Sequence, residues 1–275
     1  MSEPTIAFIG GGNMARSLIG GLIADGASAG RLRVADVNTE ALEWLRTQYG
    51  ISTFADNRAA VQGAQVVLLA VKPQAARAVA IELGAALEGH RPLFISIVAG
   101  LCSADLARWL DYDAAIVRTM PNTPALVRSG ATALHANLAV NATQRAQAES
   151  IMRAVGLTLW LDNEEQMDAV TALSGSGPAY FFLVMELLQR AGTTLGLPPE
   201  TARLLTLQTA FGAAKMALES SEDAATLRQR VTSPGGTTEQ ALKVFNESGL
   251  ERIFVDALTA AQRRAQELAE QLGRS

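Results

Sequence analysis

Thr5-Ile6-Ala7-Phe8-Ile9-Gly10-Gly11-Gly12-Asn13-Met14-Ala15 joins a short apolar run to a triple glycine and the start of an amphipathic segment. Thr5–Gly10 reads as a buried strand and Asn13–Ala24 as a helix, so the G-x-G-x-x-A spelled by Gly10–Ala15 lies in a strand-to-helix turn. Gly10 allows the tight turn, Gly12 lets a pyrophosphate approach the backbone, and Ala15 lets helix and strand pack closely. The amides opening the helix then face the phosphates, with the helix dipole behind them. Asp36 ends the next strand, Leu32–Asp36, at the spacing where a carboxylate takes the ribose hydroxyls of the dinucleotide. It would repel a 2′-phosphate, and no arginine stands at 37 or 38, so NADH is expected to serve at least as well as NADPH.

Outward from this turn, strand-like runs alternate with helical patterns. A helix over Thr39–Tyr49 stops at Gly50, and short strands are expected at Ile51–Phe54, Val66–Ala70, Leu93–Ile97, Ala115–Thr119 and Leu157–Leu161. The continuous apolar runs VVLLA and LFISI mark central strands covered on both faces. The pattern predicts an α/β fold: a parallel, doubly wound Rossmann sheet. Beyond Asp162 no strand is evident and helix formers dominate. Residues 1–162 are therefore expected to form the dinucleotide domain and 163–275 an all-α domain.

Composition narrows the function. With 275 residues, 49% apolar and 18% charged, the chain can bury a large core. A net charge of −4 argues against nucleic acid as a partner. The two histidines, His90 and His135, are expected to be solvated in loops or at the sheet edge. With Cys102 the sole cysteine, no metal site and no internal disulfide are expected. No basic leader precedes the first strand, which fits a cytoplasmic protein. The most apolar stretch, Ala179–Leu188, is too short to span a membrane and reads as a helix buried on more than one face, against a second subunit.

Ligands of open α/β sheets bind at the carboxyl ends of the strands. The turns there are Ala70-Val71-Lys72-Pro73, Val98-Ala99-Gly100 and Met120-Pro121-Asn122-Thr123-Pro124. Lys72, one of three lysines, stands where cofactor phosphate or ribose would pass, and Val98-Ala99-Gly100 is small enough to admit the nicotinamide half. Asn122 reads equally as a cofactor contact or a turn cap. Ser174-Gly175-Ser176-Gly177-Pro178 reads either as a close-approach loop or as a plain helix entry.

In the second half, Ser233-Pro234-Gly235-Gly236-Thr237-Thr238 precedes a helix over about Thr237–Phe245. Glycines, hydroxyls and unpaired helix amides together make a cradle sized for a carboxylate, and the same residues read as a helix start capped by Thr237 or Thr238. Reduction of a ketone needs a positioned acid. No histidine lies in a candidate loop, and Tyr180 is followed by Val184 rather than a lysine four places on. A protonated imine already carries its positive charge and needs only a cofactor, an anion grip and hydroxyls.

Five ordered blocks, FIGGGNMA (Phe8–Ala15), AVKP (Ala70–Pro73), MPNTPA (Met120–Ala125), DAVTALSGSGPAY (Asp168–Tyr180) and SPGGTT (Ser233–Thr238), resemble the pyrroline-5-carboxylate reductases over essentially the whole chain. The resemblance implies hydride transfer from NADPH or NADH to C5 of 1-pyrroline-5-carboxylate, giving L-proline. It implies a homodimer through the helical domain, within larger rings. It also implies substrate contacts at Glu164, Ser233, Gly235, Gly236 and Thr237, with Thr238 polarising the substrate. Phe8, Ile9, Gly10, Gly11, Gly12, Asn13, Met14, Ala15, Asn57, Ala70, Val71, Lys72, Pro73, Val98, Ala99, Gly100 and Asn122 match its cofactor side. Asp36 departs from the family's small polar residue. Two rivals remain: a β-hydroxyacid dehydrogenase with Lys215 as acid, weakened by Leu218 and Glu219 where that family has asparagines, and a non-catalytic dinucleotide sensor, which would not need the SPGGTT cradle.

Overall fold

The structure, a computed structural model, describes residues 3–274. In chain order the first elements are β1 (Ile6–Ile9), α1 (Asn13–Ala24), β2 (Leu32–Ala35), α2 (Thr39–Tyr49), β3 (Ser52–Phe54), α3 (Asn57–Val61), β4 (Val66–Leu69), α4 (Pro73–Ala86), β5 (Leu93–Ser96) and α5 (Ser103–Leu110). There follow β6 (Ile116–Met120), β7 (Gly130–Ala136), α6 (Ala142–Arg153), β8 (Gly156–Trp160) and α7 (Gln166–Val170). The chain ends in α8 (Gly177–Thr194), α9 (Pro199–Glu219), α10 (Ala224–Arg230), α11 (Thr237–Glu247) and α12 (Leu250–Arg274).

Eight strands form one sheet in the order β3-β2-β1-β4-β5-β6-β7-β8. The first six follow the dinucleotide-binding order 3-2-1-4-5-6. Side chains alternate across the sheet: Ile6 and Phe8 enter one core with Leu18, Ile19 and Met152, while Ala7 and Ile9 enter the other with Leu83, Leu106 and Trp109. Two covered faces explain the unbroken apolar strands. Truncating a fully buried Leu68 to alanine would cost about 2–5 kcal/mol. Local chemistry fixes α2: the Asn38 side chain accepts from the amides of Glu40 and Ala41, and Gly50 ends the helix at φ 66°.

The sheet corrects the expectation of an all-parallel arrangement. β7, absent from the sequence-based strands, runs antiparallel to β6 and parallel to β8. Only a short 3₁₀ turn, Thr123–Val127, links β6 to β7, too little chain for a crossover that would keep them parallel. His135, expected to be solvated, sits in β7 directly across from Arg118, with its Nδ1 buried.

Contacts divide the chain into two compact units, one running to Ser176 and resuming at Ala261, the other Gly177–Ala260. The compositional change at Asp162 marks where strands end, not where packing ends, because Met167 and Ala172 are buried within the first unit. Ser174–Gly177 is not a loop. Thr171–Gly175 forms a π-helical turn leading into α8, with the hydroxyls of Thr171 and Ser174 bonded back to the carbonyls of Met167 and Val170. In the single chain the apolar face of α8 is open, Phe181 at 68% and Phe182 at 64% exposed, so its burial requires a partner.

Candidate dinucleotide site and carboxylate cradle

The β1–α1 turn has the form a pyrophosphate needs. A side chain at Gly10 would meet the Ala70 carbonyl oxygen at 2.5 Å, and the residue sits at φ +104°, so the turn accepts only glycine. At Gly12, by contrast, an added Cβ would have nothing within 4 Å: the space above the α1 start is open. Gly12 is the N-cap and offers no side chain to the first-turn amides of Asn13 and Met14, while Ala15 is fully buried against the sheet. Bare amides below open space suit a dinucleotide phosphate.

Asp36 ties this turn to the next. Its Oδ2 accepts from the Gly11 amide at 2.5 Å and its Oδ1 from the Asn38 amide at 2.8 Å. The carboxylate is thereby fixed beside the glycine turn, at the end of β2 where the adenosine ribose lies in this sheet order. Phe8 and Ile9 are buried strand residues that set the turn without facing solvent.

Further along the edge, Ala70 and Val71 are partly buried, Lys72 is the exposed N-cap of α4, and Pro73 is its first helical residue. Asn57, at the start of α3, donates to Glu82 at 3.3 Å. In the β5–α5 turn Val98 is buried, Ala99 exposed, and Gly100 lies at φ +76°. Asn122 proves to be a structural clamp: its Nδ2 donates to the Ser174 carbonyl at 3.0 Å and its Oδ1 accepts from the Ala131 amide at 2.9 Å. The sequence reading missed the end of α12. Leu268 and Leu272 with Pro73, Arg77 and Ala99 border a cavity of about 440 Å³, and Leu272 lies 3.3 Å from where a Gly100 side chain would begin.

Glu164 and Arg118 form a second cluster. Glu164 accepts from the Ser103 amide at 2.8 Å, the Ser103 hydroxyl at 2.5 Å and the Arg118 guanidinium at 3.1 Å. Burial alone would raise its carboxyl, but the bonds from Ser103 and Arg118 outweigh this and hold it below the usual glutamate range. Asp168 is raised by burial, partly offset by Arg118, and the Cys102 thiol is likewise pushed up by burial.

In the helical unit the Ser233–Thr238 turn closes through the Gly236 amide on the Ser233 carbonyl at 3.0 Å. Gly236, not Thr237 or Thr238, is the N-cap of α11, because Gly235 takes φ +71° and swings Gly236 into the extended cap conformation. A glycine cap leaves the amides of Thr237 and Thr238 without a side-chain acceptor, and both threonines are exposed. The Gly235 amide is taken by the Glu239 carboxylate at 2.8 Å, which removes it from the set of free donors. Lys215, the acid of the dehydrogenase rival, is a solvated α9 residue 3.7 Å from Glu219.

A sheet in this order, a glycine turn open above bare helix amides and a carboxylate at the end of β2 define an oxidoreductase of the dinucleotide-binding α/β class. The comparisons carry this further. Residues 5–100 match the model described as NADP oxidoreductase, coenzyme F420-dependent, and 164–268 that of pyrroline-5-carboxylate reductase dimerisation. The pyrroline-5-carboxylate reductase of Pseudomonas aeruginosa is 54% identical over 99% of this chain and 100% of its own. The solved structure of a Coxiella burnetii pyrroline-5-carboxylate reductase superposes with a TM-score of 0.93 at 50% identity, covering 97% of this chain and 99% of that one. That of Plasmodium falciparum pyrroline carboxylate reductase with NADP bound gives 0.86 at 28% identity, covering 98% and 99%. The chain belongs to the pyrroline-5-carboxylate reductase family.

Proposed function

We propose that this protein reduces 1-pyrroline-5-carboxylate to L-proline with NADH or NADPH. The observation that carries the reading is the glycine-capped start of α11, which presents bare amides and two exposed threonine hydroxyls in a chain related to named reductases of this imine over its full length. The amides ahead of Thr238 hold the substrate carboxylate, and Ser233 and Thr237 supply further hydroxyls. The Thr238 hydroxyl bonds the ring nitrogen, orienting the C=N bond and holding its proton. When bound, the nicotinamide supplies the hydride. Reduction of a protonated imine yields a neutral amine, so no alkoxide forms and no acid such as Lys215 is required. The Gly10–Ala15 turn and Lys72 hold the phosphates, while Ala99 and Gly100 border the nicotinamide.

Asp36 makes NADH at least as good a donor as NADPH, since its fixed carboxylate accepts from a 2′-hydroxyl and repels a 2′-phosphate. The open apolar face of α8 supports a homodimer, and further exposed side chains such as Phe211 (64%) and Ile253 (58%) leave surface for a ring of dimers. The single cysteine suits a cytoplasmic location, and no described helix is long and apolar enough to cross a membrane.

The test is an absorbance assay of reduced cofactor with purified protein and pyrroline-5-carboxylate, with 3-hydroxyisobutyrate and oxidised cofactor in parallel. Oxidation of NADH or NADPH only in the presence of the imine supports the reading. Turnover of the hydroxyacid alone, or of neither substrate, overturns it.

A further inference from the structure

Arg118 is the one buried charged residue among the described residues, its side chain 6% exposed in the middle of an apolar strand. A charge is held there only with partners. Its guanidinium lies 3.1 Å from Glu164 Oε1 and 3.8 Å from Asp168 Oδ1. Glu164 in turn receives the amide and the hydroxyl of Ser103, the first residue of α5. Three separate segments, β6, the start of α5 and the stretch after β8, are thus joined through one carboxylate. Ser103 directly follows the turn Val98–Cys102, whose Ala99 and Gly100 stand at the carboxyl end of β5.

With three donors on its two oxygens, Glu164 is engaged within the protein, and the chemistry of imine reduction does not require the pair. The bonded partner lies on the cofactor side. We infer that Arg118 and Glu164 are positioning residues: they form a brace that fixes Ser103, and so holds the Ala99–Gly100 turn where the nicotinamide half of the dinucleotide packs. Glu164 acts on the cofactor turn through Ser103. The identity of that substrate rests on the function proposed above; the brace itself is read out by dinucleotide binding alone.

The experiment uses the full-length enzyme and measures the Kd of NADH and NADPH by fluorescence titration, and separately the KM of the imine at saturating dinucleotide. Glu164→Gln, close in shape, places an amide where the Ser103 donors or the guanidinium need an acceptor. It should weaken the preferred dinucleotide about tenfold, about 1.4 kcal/mol. Ser103→Ala keeps the backbone bond and should weaken it a few-fold. Arg118→Met should be at least as damaging as Glu164→Gln, with part of the loss restored in Arg118→Lys, which keeps the charge. The KM of the imine should stay within about threefold throughout, the scatter expected of an indirect effect. A raised imine KM with unchanged dinucleotide Kd in Glu164→Gln would make Glu164 a substrate ligand and overturn the inference. So would unchanged Kd in both Glu164→Gln and Ser103→Ala. If Arg118→Met fails to fold, those two milder variants still decide the question. A wild-type enzyme that binds dinucleotide but ignores the imine would refute the proposed function and leave the brace testable.

Discussion

Replacing Gly12 by valine should destroy dinucleotide binding while leaving the fold nearly intact. Gly12 has φ −70° and ψ −177°, extended backbone that valine adopts freely, and its added Cβ would meet nothing within 4 Å. The folding cost is that of a poorer N-cap, about 1 kcal/mol, which lowers Tm by about 2–4 °C. The branched side chain fills the space reserved for the pyrophosphate. Losing two hydrogen bonds from first-turn amides to a charged group, about 1.5–3 kcal/mol each, gives about 3–6 kcal/mol, a factor of roughly 10² to 10⁴ in Kd. Gly10 is the internal control. An alanine there sits at φ +104° with its Cβ 2.5 Å from the Ala70 carbonyl oxygen, so the loss should appear in Tm, about 1–3 kcal/mol from the backbone strain alone and more from the clash. Thermal melts and fluorescence titration of NADH on both variants separate the two effects. A Gly12→Val protein that binds NADH within a few-fold of wild type would refute the phosphate assignment.

Thr238→Ala should lower kcat about 10²-fold, with the dinucleotide Kd within twofold, because an oriented hydrogen bond to the reacting group is lost on the substrate side only; steady-state kinetics and titration check this, and an unchanged kcat removes Thr238 from the mechanism. Asp36→Ala should raise the ratio of kcat/KM for NADPH over NADH by about tenfold or more through loss of repulsion at the 2′ position. An unmoved ratio contradicts the assignment of Asp36 to the ribose. The lowered carboxyl of Glu164 gives a signed pH effect. Because its folded value is depressed, its contribution is complete above the ordinary glutamate range and fades as pH falls through that range towards the folded value. Arg118, Ser103, Asp168, the Cys102 thiol and His135, whose Nδ1 lies 4.0 Å away, are the groups facing it. The Tm advantage of wild type over Glu164→Gln should therefore be present at neutral pH and shrink on acidification; an advantage that grows in acid would contradict the sign.

Much of the first unit could be read locally. Asn38 and Gly50 delimit α2 through their own side-chain and backbone preferences, and the glycine turn carries its geometry in three residues. β7 could not be read, because GATALHA has no long apolar run and Thr132 as its one β former, and exists as a strand through pairing with β6 and β8. The Ser-Gly repeat before α8 left two readings open, and the helix entry is the one found: the hydroxyls of Thr171 and Ser174 bond back along the chain and keep it wound. The Arg118–Glu164–Ser103 cluster joins residues 46 and 61 positions apart, beyond any local pattern. One signal was available, an arginine inside the apolar strand Ile116–Met120, which demands a carboxylate partner somewhere in the chain. The return of 261–274 to the first unit left no trace, since an amphipathic helix does not name the surface it will cover.

The decisive measurement is a crystal structure of the assembled enzyme with oxidised cofactor and a proline analogue bound together. The ring carboxylate should lie on the amides preceding Thr238, and the nicotinamide carbon that carries hydride should sit about 3–3.5 Å from the ring carbon next to nitrogen. An analogue held by those amides but out of contact with the nicotinamide, in every copy, would contradict the account.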